Sequence, residues 1–348
     1  MKKRGTLALF CTVFFLLPFL CACERNSALE DGFLPVSVGI DRAADGYDFC
    51  FGGYEPGSDG EALYADRTVR TASVTAAFDE IDLSYGMLAS LVVAPSTAKD
   101  GLYPLYAAFI YNDDATEAMA LAMSPNPEAL LCRTDQDGED VNAFLQKEQL
   151  SCPSVLSYDI AMRTPGETCL VPMIARSGGG QIELLSAAVF SEDKLCGQIP
   201  AELLPYAQLL SGQRRQMLID FDVPGLDSGS VRVLLSCDRT LLNDREPYRF
   251  RAVVFGSGLV AARMSTHESL LSPSDSQQIA ESVNTAIEQN CRAVAALAQQ
   301  TLRADPFGFS RMILARSRDA STRIKEVFCQ SEIDVQSRVE IQNLTQIH

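Results

Sequence analysis

PSDSQQIAESVNTAIEQNCRAVAALAQQTLRADP, residues 273–306, is the stretch on which the fold turns. Ile279, Val283, Ile287, Val294, Ala298 and Leu302 recur at helical spacing and form one apolar stripe. The stripe predicts a single long helix ending before Asp305-Pro306, because proline cannot continue the backbone ladder. Ser274-Asp275-Ser276-Gln277, just after Pro273, reads as the capping box that starts it.

On both sides of the helix the period changes from helical to alternating. Val231, Val233 and Leu235, then Tyr248, Phe250, Ala252 and Val254, predict two half-buried strands. Ile333, Val335, Val339 and Ile341 predict a last strand. Strands gathered around one long helix imply an α+β, multi-domain chain. Its sheets should be largely antiparallel or mixed and packed with helices, with the long helix in the C-terminal domain.

Upstream, Gln181 to Phe190, Ser191-Glu192-Asp193-Lys194 and Leu195 to Ile199 read as strand, turn and return strand. Val223 to Gly229 reads as a domain boundary, having one proline and two glycines. Nearer the start, Leu34 to Asp41 reads as a strand, Asp45-Gly46 as a turn, and Tyr47 to Phe51 as the next strand. Gly52 to Gly60 is expected to be a loop, and Thr71 to Tyr85 a helix stopped at Gly86. Apolar segments follow at Met87 to Val93 and Leu102 to Ile110, the second too short to cross a bilayer. Asn112-Asp113-Asp114 is expected to precede a helix containing Met119 and Leu121. Asp135 to Val141 reads as an acidic loop and Asn142 to Leu150 as helical.

The first residues read as an export signal. Lys2, Lys3 and Arg4 precede an apolar run from Leu7 to Leu20, which fits a signal-peptide core. Leu20-Cys21-Ala22-Cys23 then matches the bacterial lipobox, with cleavage between Ala22 and Cys23 and acylation of the Cys23 thiol. Small side chains at Cys21 and Ala22 let a peptidase reach the backbone. Several acyl chains hold a protein far more firmly than one.

Cleavage would lower the 29 basic residues to 26 and leave all 45 acidic ones, a net charge of −19. Nucleic acid and anionic head groups repel such a body, so the lipid must supply the membrane affinity. With 47% apolar residues the chain folds rather than stays disordered. Eight cysteines would remain beyond Cys23, none at CxxC spacing, and His267 and His348 are the only histidines. No zinc site is therefore expected, nor any other metal or cofactor. The compartment permits disulfides without indicating which form.

Several strings imitate catalytic motifs. Ser96-Thr97-Ala98-Lys99 and Ser191-Glu192-Asp193-Lys194 both match S-x-x-K, but the chain has no K-T-G partner. Asp135-Gln136-Asp137-Gly138 has its glycine too early for an EF-hand and reads as a solvated turn. Ser177-Gly178-Gly179-Gly180 lacks the strand-to-helix setting of a phosphate cradle, and His267 reads as a loop histidine. No catalytic residue is assigned, and the chain is expected not to be an enzyme.

The order of short segments resembles the C-subunit family of nutrient germinant receptors of spore formers, the Ger(x)C lipoproteins. The family's lipidated cysteine, its Trp-Asp-Arg and its Leu-(Asn/Glu)-Asp are paralleled by Cys23-Glu24-Arg25 and Leu29-Glu30-Asp31, without the tryptophan. Gly39-Ile40-Asp41 matches the end of the family's first strand. Leu91-Val92-Val93 with Ala98-Lys99-Asp100-Gly101-Leu102 is similar to its "LVIGE-x-LAKEGL" region. Ala188-Val189-Phe190, Asp193-Lys194-Leu195-Cys196-Gly197 and Leu209-Leu210-Ser211-Gly212 follow in order. Ala304-Asp305-Pro306-Phe307-Gly308-Phe309 is similar to "AD-x-FGF".

The resemblance implies a signal peptide at 1–22, an N-terminal germination-protein domain at 23–200, a connecting segment at 201–228 and a C-terminal domain at 229–348. It implies a non-enzymatic lipoprotein beside two multispanning receptor subunits, on the outer face of the spore's inner membrane. The alternative is a solute-binding lipoprotein of a transporter. Read from the residues, Gly308 permits a tight turn, Phe307 and Phe309 fill the core, and Asp193-Lys194 is hairpin-turn chemistry.

Overall fold

The structure, a computed structural model, describes residues 33–57, 62–81, 88–110, 118–132, 140–147, 152–178, 180–224, 226, 228–243, 245–263 and 271–342. The readings at Ala22, Cys23, Leu29-Glu30-Asp31, Gly86, Asn112-Asp113-Asp114, Asp135 to Gly138, Gly179 and His267 lie outside these residues.

β1 (Leu34–Ala43), β2 (Gly46–Pro56) and β3 (Ala62–Thr71) form an antiparallel meander. Residues 52–56 of the expected Gly52 to Gly60 loop are instead the second half of β2, residues 58–60 lie outside the described residues, and β3 is a strand that the sequence pattern did not reveal. Gly52 and Gly53 serve close approach rather than a turn. A Cβ at Gly53 would collide with the Leu34 carbonyl oxygen, and one at Gly52 with the Tyr64 hydroxyl. α1 (Val74–Ile81) then begins three residues later than expected.

The centre of the sheet is parallel. β1 pairs with β4 (Ser90–Val93), β4 with β5 (Ala120–Met123), and β5 with β6 (Cys169–Arg176). Residues 119–121 were expected in a helix. They enter a four-residue strand, three of whose residues are buried, so no amphipathic period is available to mark it. Between the strands run α2 (Pro95–Ala98), α3 (Tyr103–Ile110), α4 (Pro127–Leu131), α5 (Val141–Lys147) and α6 (Val155–Arg163). These β-α-β crossovers were not legible in the sequence.

Helices cover both faces of this sheet. Leu91, Val93, Leu121 and Met123 pack with Phe49, Phe51 and α1, α3 and α6, whereas Val92 and Ala122 point the other way onto α4 and α5. β7 (Ile182–Ser191) and β8 (Lys194–Pro200) close the sheet antiparallel, as expected of the hairpin.

α7 (Leu204–Leu210) leads into the second sheet, ordered β12-β11-β10-β9. β9 (Arg215–Phe221) pairs antiparallel with β10 (Gly229–Leu241), with Gly229 opposite Phe221. The break at Val223 to Gly229 is therefore a connection inside one sheet and no boundary. The segment 201–228 is not a simple connector, because it supplies both α7 and β9. β11 (Arg249–Arg263) continues the antiparallel pairing, and the chain then crosses over through α8.

α8 (Pro273–Ala296) passes into a π-helical turn, Leu297–Leu302, so one continuous rod spans the predicted stripe. All six stripe residues are buried against the sheet. The capping box sits two residues earlier than expected. Ser272 is the N-cap, its hydroxyl accepting from Asp275 N while the Asp275 carboxylate accepts from Ser272 N. Pro273 falls on the first helical position, where its missing N–H costs nothing. Arg303, left-handed at φ 50°, ends the rod. After α9 (Phe309–Leu314) and α10 (Ile324–Gln330), β12 (Glu332–Gln342) pairs parallel with β11. Two mixed sheets packed with helices, the long helix being C-terminal, agree with the expected fold class. Val189 and Ile199 of the first sheet pack into the second core, so the two layers share apolar contacts.

Candidate functional site

The two S-x-x-K strings build no nucleophile. The Ser96 hydroxyl donates to Asp41 Oδ1 at 2.6 Å. Ser191 is buried at the end of β7, opposite an exposed Lys194. Glu192 and Asp193, at φ 52° and 60°, make the two left-handed residues that a tight hairpin favours.

Asp193 does more than turn the chain. Its carboxylate accepts from Leu102 N at 3.1 Å, Tyr103 N at 2.9 Å and the Tyr158 hydroxyl at 3.1 Å. It thereby satisfies orphan donors at the start of α3 from ninety residues away. Gly101, at φ +102°, leaves the space: a Cβ there would stand 2.7 Å from Asp193 Oδ2. Two of the short matches to the germinant-receptor family, Gly101-Leu102 and Asp193-Lys194, thus touch.

Beneath them, the Tyr106 hydroxyl donates to Asp159 at 3.1 Å, and Arg163 Nε donates to the same oxygen at 2.8 Å. Tyr106, Tyr158 and Phe190 continue edge-to-face at 5.3 Å spacings. Burial, with the Asp193 charge next in weight, pushes both Tyr106 and Tyr158 above the ordinary tyrosine range. They act as neutral donors in a structural network, not as bases.

A second knot surrounds Asp305, which is buried. Its Oδ1 accepts from Phe307 N at 3.0 Å and Gly308 N at 3.1 Å, and Oδ2 accepts from Ser310 N. These are the donors at the start of α9, whose N-cap residue, Gly308, has no side chain to serve them. Gly308 takes φ 82°, and Phe307 and Phe309 are fully buried, as expected from the sequence. Phe309 lies 4.6 Å from Phe250 and 5.9 Å from Phe307. Burial raises the Asp305 carboxyl above its ordinary value, opposed first by its bonds to Ser310 and then by those to Phe307 and Gly308.

Arg239 on β10 donates to the Phe307 carbonyl, and the Thr168 hydroxyl donates to the Asp305 carbonyl at 2.7 Å. The Asp305 turn therefore joins the loop before β6 to the second sheet. Beside it opens a cleft of about 570 Å³, lined among others by Glu167, Gln213, Arg239 and Arg311. Arg311 Nε stands 3.4 Å from Glu167 Oε1, so two charged walls already answer each other. This cleft offers polar contacts but brings no nucleophile together with a base. Among the described residues no group of three His, Cys, Asp or Glu could hold a metal ion, and no helix is long and apolar enough to cross a membrane.

Fold and site together define an α+β protein whose motif residues build joints between elements. Residues 186–345 match the family described as "Spore germination B3/ GerAC like, C-terminal". The matched segment starts within β7, so it contains both the Asp193 turn and the Asp305 knot. The fold matches the crystal structure of the GerBC protein with a TM-score of 0.61 and 13% identity, covering 88% of this chain and 97% of that one. None of the curated proteins matches. The match over residues 186–345 and the shared fold support the resemblance to germinant-receptor C subunits. The match supports a germination-related role, and the matched family implies association with other receptor subunits and suggests a spore membrane. The family is not a known enzyme family.

Sequence reasoning found Asp193 and Asp305 as members of motifs but missed their roles. An aspartate just before a turn is a local signal for the second. Nothing local connects Asp193 with Leu102.

Proposed function

We propose that this chain is a non-enzymatic, lipid-anchored subunit of a nutrient germinant receptor. The family match over residues 186–345 carries the reading. Export and cleavage before Cys23 place the body on the outer face of the spore's inner membrane, where it contacts two multispanning partner subunits. The motif residues support a scaffolding role, because Asp193 and Asp305 are occupied in holding elements together. The solute-binding alternative would draw on the cleft near Arg239, whose charged groups already have partners within the chain.

The anchor is tested by Cys23→Ala. The acidic body has little affinity of its own for anionic lipid. The variant should lose acyl labelling and shift from the membrane fraction to the soluble fraction, with weakened nutrient germination. A variant that stays fully membrane-bound would show that partner contacts hold the body without lipid.

A further inference from the structure

Cys50 and Cys132 lie 82 residues apart in sequence, yet their sulfurs stand 3.3 Å apart. Cys50 is buried on β2, and Cys132, half-buried, ends α4. The backbone that presents Cys132 is held from three sides. Tyr64 donates its hydroxyl to the Leu131 carbonyl at 2.6 Å. Arg176 donates from Nε and Nη2 to the Leu130 carbonyl at 3.1 and 2.9 Å. Gly39 lets α4 sit directly on β1, since a Cβ there would stand 2.8 Å from Pro127 Cβ. Several other thiols are directed elsewhere: Cys152 donates to the Leu121 carbonyl at 2.9 Å, Cys196 to Lys194 and Cys237 to Asp238.

We propose that Cys50 and Cys132 form an intramolecular disulfide once the chain is exported, stapling β2 to the end of α4. The inference rests on the reading of residues 1–23 as an export signal, because a reducing compartment would keep both thiols free. The oxidant is the disulfide of a thiol–disulfide oxidoreductase. The Cys132 thiolate, the more accessible, attacks one carrier sulfur and releases the other as a thiolate. The Cys50 thiolate then displaces the carrier from the mixed disulfide. Two protons leave the cysteines, and the two electrons end on the carrier as a dithiol. The Cys50 contact, then burial, with the Asp66 carboxylate adding, pushes the Cys132 thiol above its ordinary value. Uncatalysed oxidation should therefore be slow at neutral pH and faster in alkali.

The test uses the purified mature chain, equilibrated with glutathione disulfide, quenched by alkylation in denaturant and digested. The expected product is a peptide pair linked Cys50 to Cys132, two hydrogens lighter than the unlinked pair and absent from Cys132→Ser. Reduction should lower the Tm of the wild type by several degrees and leave Cys132→Ser unmoved, since a long loop is released in the unfolded chain. Alkylation of both cysteines after oxidation of a chain with native circular dichroism would overturn the pairing, as would a link from Cys132 to another cysteine. The same map on protein from membranes should show the bond, and free thiols there would overturn it as a native modification. Intact mass of that protein reports cleavage before Cys23 independently, so failed export is distinguishable from failed pairing.

Discussion

Asp305→Ala should destabilise the fold by about 4 kcal/mol, read as a fall in denaturant midpoint at unchanged slope. The carboxylate serves three backbone N–H groups, of Phe307, Gly308 and Ser310, inside the core. Alanine would leave all three without a partner, and each unsatisfied buried donor costs about 1–3 kcal/mol. Water cannot easily replace the acceptor, because the residue is buried between α8, α9 and the loop before β6. Asp305→Asn should recover only part of the loss. Its carbonyl oxygen can still accept from Phe307 and Gly308, but its amide would then face the Ser310 N–H donor to donor. Equal stability of wild type and Asp305→Ala would mean that the turn stands without the carboxylate.

Asp193→Ala should cost about 3 kcal/mol, assembled from different sources. Two donors at the start of α3 and the Tyr158 hydroxyl lose their acceptor. In addition alanine would have to adopt φ near 60°, a left-handed conformation that aspartate tolerates better. Asp193→Asn keeps the turn preference and an acceptor, so its loss should be smaller by at least half. Hydrogen exchange at Leu102 and Tyr103 locates the effect. Both amides should exchange faster in Asp193→Ala even where the global fold persists, and unchanged protection there would contradict the joint between turn and helix.

The parts legible in the sequence are those with a full period to display. The stripe from Ile279 to Leu302 extends over about six helical turns, and every member is buried. Val231, Val233 and Leu235 alternate because the opposite face of β10 meets solvent at Arg232 and Leu234. The four-residue strands at the centre of the first sheet have no such contrast. Ser90–Val93 is buried throughout, and Ala120–Met123 consists of residues that favour helices in isolation. Tertiary packing decides those segments. Glycine misled in the other direction: Gly52 and Gly53 suggested a loop, yet they let Tyr64 and Leu34 approach a strand.

Sites behaved similarly. The Phe307-Gly308-Phe309 turn could be read locally, since its left-handed glycine and the Asp305 carboxylate that accepts its amides are neighbours, although Arg239 and Phe250 complete it from the second sheet. The Asp193 joint could not, because its partners come from α3 and α6. Family resemblance selected both aspartates without supplying their physics.

The central claim, a place in a nutrient germinant receptor, is tested most directly by germination of spores lacking this chain. Spores from the deletion strain, purified and heat-activated, are exposed to individual nutrients while release of their core solutes and loss of optical density are followed. The account predicts a strong loss of response to at least one nutrient, restored by the wild-type chain and poorly by Cys23→Ala, with growth and sporulation unchanged. A deletion strain that germinates normally with every nutrient would contradict it.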